Sequence, residues 1–207
     1  MSHRIVRALL CIGMLLASEF SLAAQQTVEV CTGNCPVVTT VFPVSFPAQS
    51  QAVSPDGRYA VVDIDSDRKP YHRVFLEDRF LHTRRNLFNY ERHVVLLWDA
   101  DSRMFAATDY IGSDTSTCSI ISVDDKVARM QVLDLLFRQL GEDAKKILQS
   151  LLSNHHVYVE ASEWWGSTSL VVTVSGYGDR DAKGFKQAYN VLLPSEGSTS
   201  DKRAIPK

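Results

Sequence analysis

An α+β fold, made mainly of antiparallel β-hairpins with one helical insertion, is predicted by three observations on the 207-residue chain. A strand, turn, strand phrase recurs along the middle of the sequence, and residues of about 125–153 switch to the three-and-four apolar spacing of a helix. The composition, 45% hydrophobic, 22% charged and 9% aromatic, is that of an ordinary globular chain. Collagenous, disordered, coiled-coil and multi-span membrane classes are thereby excluded.

From the N-terminus, residues 1–24 read as a secretory signal peptide. Arg4 and Arg7 supply a positive start, Ala8–Ala17 an apolar stretch, and Ala23 or Ala24 a cleavage point. The stretch is shorter than the roughly 20 apolar residues of a membrane span. Removing its two arginines and one glutamate moves the net charge from −2 to −3, so no excess of positive charge points to nucleic acid. Localisation is therefore expected to be periplasmic or secreted, with no stable membrane insertion after cleavage. What remains is read as one globular domain over residues 25–193, with a disordered tail at 194–207 that offers little to bury.

Cys31 and Cys35 flank Thr32-Gly33-Asn34 in a segment suited to a tight loop, and an oxidising compartment favours their union as a loop disulfide. Free thiols, or a redox or metal-binding pair, are the alternatives, although the C-x-x-C spacing of redox centres is absent. Cys118, in the apolar run Cys118-Ser119-Ile120-Ile121, reads as a buried free thiol. The stretch Val28–Pro47, rich in Val and Thr and punctuated by prolines, fits an edge strand or extended arm.

The first hairpin opens at Ser54-Pro55-Asp56-Gly57-Arg58, a turn sequence leading into Tyr59-Ala60-Val61-Val62-Asp63. In the second, His93–Trp98 runs through Asp99-Ala100-Asp101-Ser102-Arg103 into Met104–Asp109. A weaker third pairs Val157–Ala161 with Leu170–Val174 through Trp164-Trp165-Gly166-Ser167. Each reads as a hairpin in a sheet with one face buried. The helical insertion carries its stripe at Met130, Leu133, Leu136, Phe137, Leu140, Ala144, Ile147, Leu148 and Leu151. An acidic start at Asp124-Asp125, a break at Gly141 and an end at Asn154 are expected.

The phrases Ser54–Val61 and Leu97–Ala106 resemble the strand-turn-strand centre of TolB-type and WD-like β-propeller blades, and their spacing of about 45 residues is also blade-like. The resemblance covers residues 48–123 well and 156–193 loosely. It implies blade-like sheets and no particular activity. Closed propellers use about 4–8 blades, whereas this chain supplies two or three, so a small open or sandwich-like sheet assembly is expected instead.

No catalytic signature is legible. The polar stretch Asp109–Thr117, bordered by strong strands, is the first candidate binding loop, with Asp109, Tyr110, Ser113 and Asp114 as its residues. Ser113 lacks the Gly-x-Ser-x-Gly frame of a hydrolase nucleophile. Neither Asp63–Asp67 nor Ser175–Asp181 has the spacing of a calcium loop. The histidines, His72, His82, His93, His155 and His156, show no zinc spacing, and neither a metal nor a cofactor is expected. Glu160 and Glu163 beside Trp164-Trp165 are the one carboxylate pair to consider for glycoside chemistry. Arg79, Arg84, Arg85 and Arg92 are interleaved with Phe80, Leu81, Leu87, Phe88 and Tyr90 and largely neutralised by Glu77, Asp78 and Glu91; they read as a hairpin connection with solvated arginines.

The functional expectation is an exported, non-enzymatic binding protein with a protein partner of unknown identity, for example an inhibitor or immunity-type protein. A small secreted hydrolase, or a structural envelope-associated domain, is the alternative.

Overall fold

A computed structural model describes residues 42–69, 71–124, 128–178 and 181–194, all within one compact unit. The expected signal peptide, the Cys31–Cys35 pair and, apart from Pro194, the expected tail lie outside the described residues. The architecture is the expected α+β assembly of antiparallel sheets, and the three sheets close into neither a barrel nor a propeller. Among the described residues no helix is long and apolar enough to cross a membrane.

The first sheet is a meander of β2 (Gln51–Val53), β3 (Tyr59–Asp65), β4 (His72–Asp78) and β5 (Thr83–Tyr90). Its opening turn forms because Gly57 takes a φ of +75°, where a Cβ would be strained, and Ser54 Oγ donates to Asp56 Oδ1 at 2.6 Å. The basic segment expected as a hairpin connection between two units does form a hairpin, its arginines lying at the β4–β5 turn, in β5 and just after it, but that hairpin belongs to the first sheet. The cause is visible in the sequence, because Val74, Leu76, Phe88 and Tyr90 supply an inward-facing set.

The second sheet, ordered β1-β6-β7-β8-β9, contains β1 (Val44–Phe46), β6 (His93–Trp98), β7 (Met104–Tyr110), β8 (Thr117–Ser122) and β9 (Arg129–Gln131). Expectation and structure differ here: this sheet is buried on both faces. Val94, Leu96, Trp98, Phe105, Ala107 and Ile121 pack with the first sheet, while Leu97, Ala106, Cys118 and Ile120 pack with the helices and the third sheet. Two-sided burial explains why β6 and β8 read as apolar runs rather than alternations. Trp98 is locked between layers, its Nε1–H donating to the Ala52 carbonyl at 3.2 Å. Burial pushes the Cys118 thiol up to about 12, consistent with an inert core cysteine.

The helical insertion is two helices, α1 (Val132–Gln139) and α2 (Glu142–Leu152), broken at Leu140-Gly141 as expected. The expected acidic start does not hold: β9 intervenes, with Met130 opposite Ile120, and α1 begins at Val132. Met130 satisfies either period, so the pattern alone could not place that boundary. Val132, Leu135, Leu136 and Leu148 are buried, whereas Ile147, assigned to the stripe from sequence, is 55% exposed. Gln139 clasps the edge of the third sheet, accepting from Leu192 N at 3.0 Å and donating to its carbonyl at 2.5 Å.

The third sheet is β10 (His156–Trp165), β11 (Ser169–Gly178) and β12 (Asp181–Leu192). Its inward residues include Val157, Val159, Leu170, Val172, Val174 and Val191. Strand β10 also touches the second sheet and the loop between β7 and β8. Val157 N donates to Asp114 O at 2.9 Å, Ser116 N donates to Val157 O at 3.2 Å, and Trp164 Nε1–H reaches Leu97 O at 2.9 Å.

Candidate functional site

In each sheet one hairpin begins with a histidine and ends with a tyrosine, and antiparallel register places the two opposite each other at the open end, away from the turn. His72 faces Tyr90, His93 faces Tyr110, and His156 faces Tyr177. All three pairs stack, with ring centroids 4.6, 3.9 and 4.1 Å apart and planes within 17° of parallel. Contacts between neighbouring layers set these pairs along one end of the assembly. At the opposite end Asp56 N donates to Ser102 Oγ at 3.0 Å, tying together the turns of two sheets.

The stretch 109–117 predicted as a binding surface is the end of β7 and the 111–116 loop, and that loop lies on the paired end. Tyr110 Oη donates to Glu160 Oε1 on β10, and Tyr158 Oη donates to the Ser113 carbonyl at 2.8 Å. Tyr110, Ser113 and Asp114 therefore meet Tyr158 and Glu160 from the third sheet in one surface. Burial and the bond to Glu160 raise the Tyr110 hydroxyl well above its ordinary value, so it remains a donor.

Asp109 does not join them. One residue before Tyr110 on β7, it projects from the opposite sheet face, toward the first sheet. Burial raises its carboxyl, with Arg129 and His93 nearby partly offsetting that rise. Ser113 is exposed, and its carbonyl rather than its hydroxyl makes the contact with Tyr158.

Sequence reasoning missed Tyr158, Tyr177, His93 and His156 as members of this end. A signal was present, since each of these three strand pairs opens at His and closes at or beside Tyr, but it means nothing until the register is known.

Two side-chain groups here carry metal-ligating atoms within 4.8 Å of one another: Asp63, Asp65 and His72, and Asp114, His155 and His156. The first is a hydrogen-bonded network at the end of β3, where Asp65 is exposed and Asp63 is enclosed. His72 Nδ1 lies 2.8 Å from Asp65 Oδ1, and Tyr90 Oη donates to Asp63 Oδ2 at 2.8 Å. Asp63 is 5% exposed, and desolvation raises its carboxyl above the ordinary range.

For catalysis the geometry offers less. A β-bulge after Ala161 sets Glu160 and Glu163 on the same face, opposite Thr173 and Val171. Glu160 is nevertheless engaged by Tyr110. Four of the surface clefts among the described residues lie elsewhere. One of about 660 Å³ is bounded by Asp56, Arg58, Arg79 and the β4–β5 tip, where Phe80 is 80% and Leu81 59% exposed. Another, of about 570 Å³, lies beside Met104, Met130 and Leu193. The remaining two border the same β4–β5 hairpin, and none of the four is lined by Tyr110, Ser113, Asp114, Glu160 or Glu163.

No protein-family model matches the chain, and no curated protein matches it.

Proposed function

We propose that this is an exported, non-enzymatic binding protein whose 111–116 loop and neighbouring β10 residues engage a protein partner, in the manner of an inhibitor or immunity-type protein. The observation that carries the reading is the convergence of Tyr110, Ser113, Asp114, Tyr158 and Glu160 on a surface supported by two sheets. Loops fixed on a rigid scaffold lose little freedom on binding, which favours affinity. Tyrosine faces beside carboxylates suit lysine and arginine side chains, through cation–π contacts and charge-assisted hydrogen bonds. A partner with a basic patch is the matching chemistry. The blade-like character of the hairpins is part of the same proposal, as a scaffold for end loops.

The test is affinity capture by the exported chain from envelope and culture fractions, repeated with Asp114→Ala and Tyr158→Ala. A single stoichiometric partner is expected, weakened about tenfold or more by either substitution and by raised salt, with the melting temperature within a few degrees of the native chain. Capture unaffected by both substitutions would move the interface elsewhere, with the exposed Phe80-Leu81 tip the next surface to probe.

A further inference from the structure

We propose that Asp114, His155 and His156 form a site for a divalent transition-metal ion of the Zn²⁺ class. One carboxylate oxygen and one nitrogen from each imidazole lie within 4.8 Å of one another. His155 Nδ1 and His156 Nε2 are 3.2 Å apart. Two Zn–N bonds of about 2.0–2.1 Å at a tetrahedral angle separate their nitrogens by roughly 3.4 Å, so the rings already stand close to the spacing one ion imposes.

The three ligands come from two segments held in fixed relation. The backbone bond from Val157 N to Asp114 O, with the parallel bridge between Thr115 and Val157, sets the aspartate beside the start of β10. The His156 ring is stacked on Tyr177, which fixes its plane. Asn154 Nδ2 donates to the Leu151 carbonyl at 2.9 Å, closing α2 and setting where the chain turns into His155. Adjacent residues within a strand point to opposite faces, and it is the turn before β10 that allows neighbouring histidines to converge.

The donor set selects the ion. Two imidazoles and a carboxylate suit Zn²⁺, Co²⁺ or Ni²⁺, whereas Ca²⁺ and Mg²⁺ prefer oxygen throughout. Three protein ligands leave a fourth position for water or another ligand, and His155 is exposed, so that position opens to solvent. The Asp63, Asp65 and His72 group is the internal comparison. There the imidazole nitrogen already faces a carboxylate at hydrogen-bond distance, which is a complementary pair without an ion.

The test uses the untagged full chain, stripped with chelator and titrated with Zn²⁺ by calorimetry and with Co²⁺ by visible absorption, with Ca²⁺ as competitor. One equivalent is expected to bind at micromolar or tighter affinity, with a four- or five-coordinate Co²⁺ spectrum and no displacement by Ca²⁺. His155→Ala and Asp114→Asn should each weaken binding at least tenfold at unchanged metal-free melting temperature, and His72→Ala should leave it intact. The proposal is overturned by absence of saturable one-equivalent binding, by binding that survives both substitutions, or by binding lost in His72→Ala instead. Metal and chain are the only components, so failure here leaves the partner reading standing, and failure to capture a partner leaves this one standing.

Discussion

Single side chains in this molecule are set by what surrounds them more than by their type. Asp99 closes the β6–β7 turn: its Oδ1 accepts from the backbone N–H of Arg103 at 2.9 Å and of Met104 at 3.0 Å. Its Oδ2 is buried with no hydrogen-bond partner among the described residues. Desolvation therefore outweighs the two accepted bonds, and the carboxyl sits above its ordinary 3.8. The folded state holds this proton to higher pH than the unfolded chain does. Below the ordinary value both states are protonated and there is no penalty; as pH rises through the raised value the folded state comes to carry a costly buried charge. Asp99→Asn keeps an acceptor at the Oδ1 position and cannot ionise. Its stability relative to the native chain should shift in the variant's favour as pH rises above the ordinary carboxyl value, then level off once the folded state has also ionised. Urea unfolding of both proteins across that range measures the difference, and a pH-independent gap would show that the Asp99 charge is well solvated. None of this is readable from Asp99-Ala100-Asp101, where either aspartate could have been the turn-capping one. Position within a folded turn separates Asp99, fully buried, from Asp101, whose side chain is 56% exposed.

Strands and turns repeat one device, a tight turn at one end of a hairpin and a His–Tyr stack at the other, and the third copy depends on a glycine. A Cβ at Gly176 would lie 2.0 Å from the His156 carbonyl oxygen and 3.0 Å from the Phe185 ring. These are backbone and packed ring atoms that cannot swing aside. Gly176→Ala should cost about 1–3 kcal/mol or more and push β10 from β11 beside the His156–Tyr177 stack. Loss of the upfield ring-current shifts of His156 in NMR spectra, together with a lowered unfolding midpoint, would register both effects; a variant of native stability would mean the two strands have room to separate. The turns of the second and third of these hairpins were legible beforehand, because Asp-x-Asp-Ser and a Gly between apolar runs carry local geometry, whereas the β4–β5 turn was not. The stacks were not, since each joins residues brought together by register across two strands. The same reason hid half of the candidate site: Tyr110, Ser113 and Asp114 share one polar loop, while Tyr158 and Glu160 arrive from β10 through layer contacts that no local pattern encodes. Strand β9 escaped for a different reason, being three residues long beside a helix whose apolar period it also satisfies.

The molecule as a whole is held together through its middle sheet, and its sequence order makes one small strand carry more than its length suggests. Strand β1 does not pair with the neighbouring β2; it crosses to the second sheet and pairs with β6, Val44 opposite Leu96 and Phe46 opposite Val94. The segment expected to be an edge strand or arm is, at Val44–Phe46, an edge strand with a fully buried anchor. Phe46 is 0% exposed and packs in the cluster that contains Ala52, Val61, Val74 and Leu76 of the first sheet together with Leu96, Trp98 and Phe105 of the second. Removing that ring leaves a void shared by both layers. Phe46→Ala should therefore cost about 3–5 kcal/mol, as large core truncations do. The distribution of the loss is the more telling quantity. Because the second core cluster, between the middle sheet and the helices with the third sheet, contains none of these side chains, amide exchange should accelerate most in β2 to β6. Acceleration in β10 to β12 should be smaller, limited by global unfolding alone. Hydrogen exchange resolved by strand separates the outcomes. Acceleration confined to β1 and β6 would reduce the strand to a local edge, equal acceleration everywhere would make the two cores one cooperative unit, and the graded pattern would establish β1 as the strap joining two of the three sheets.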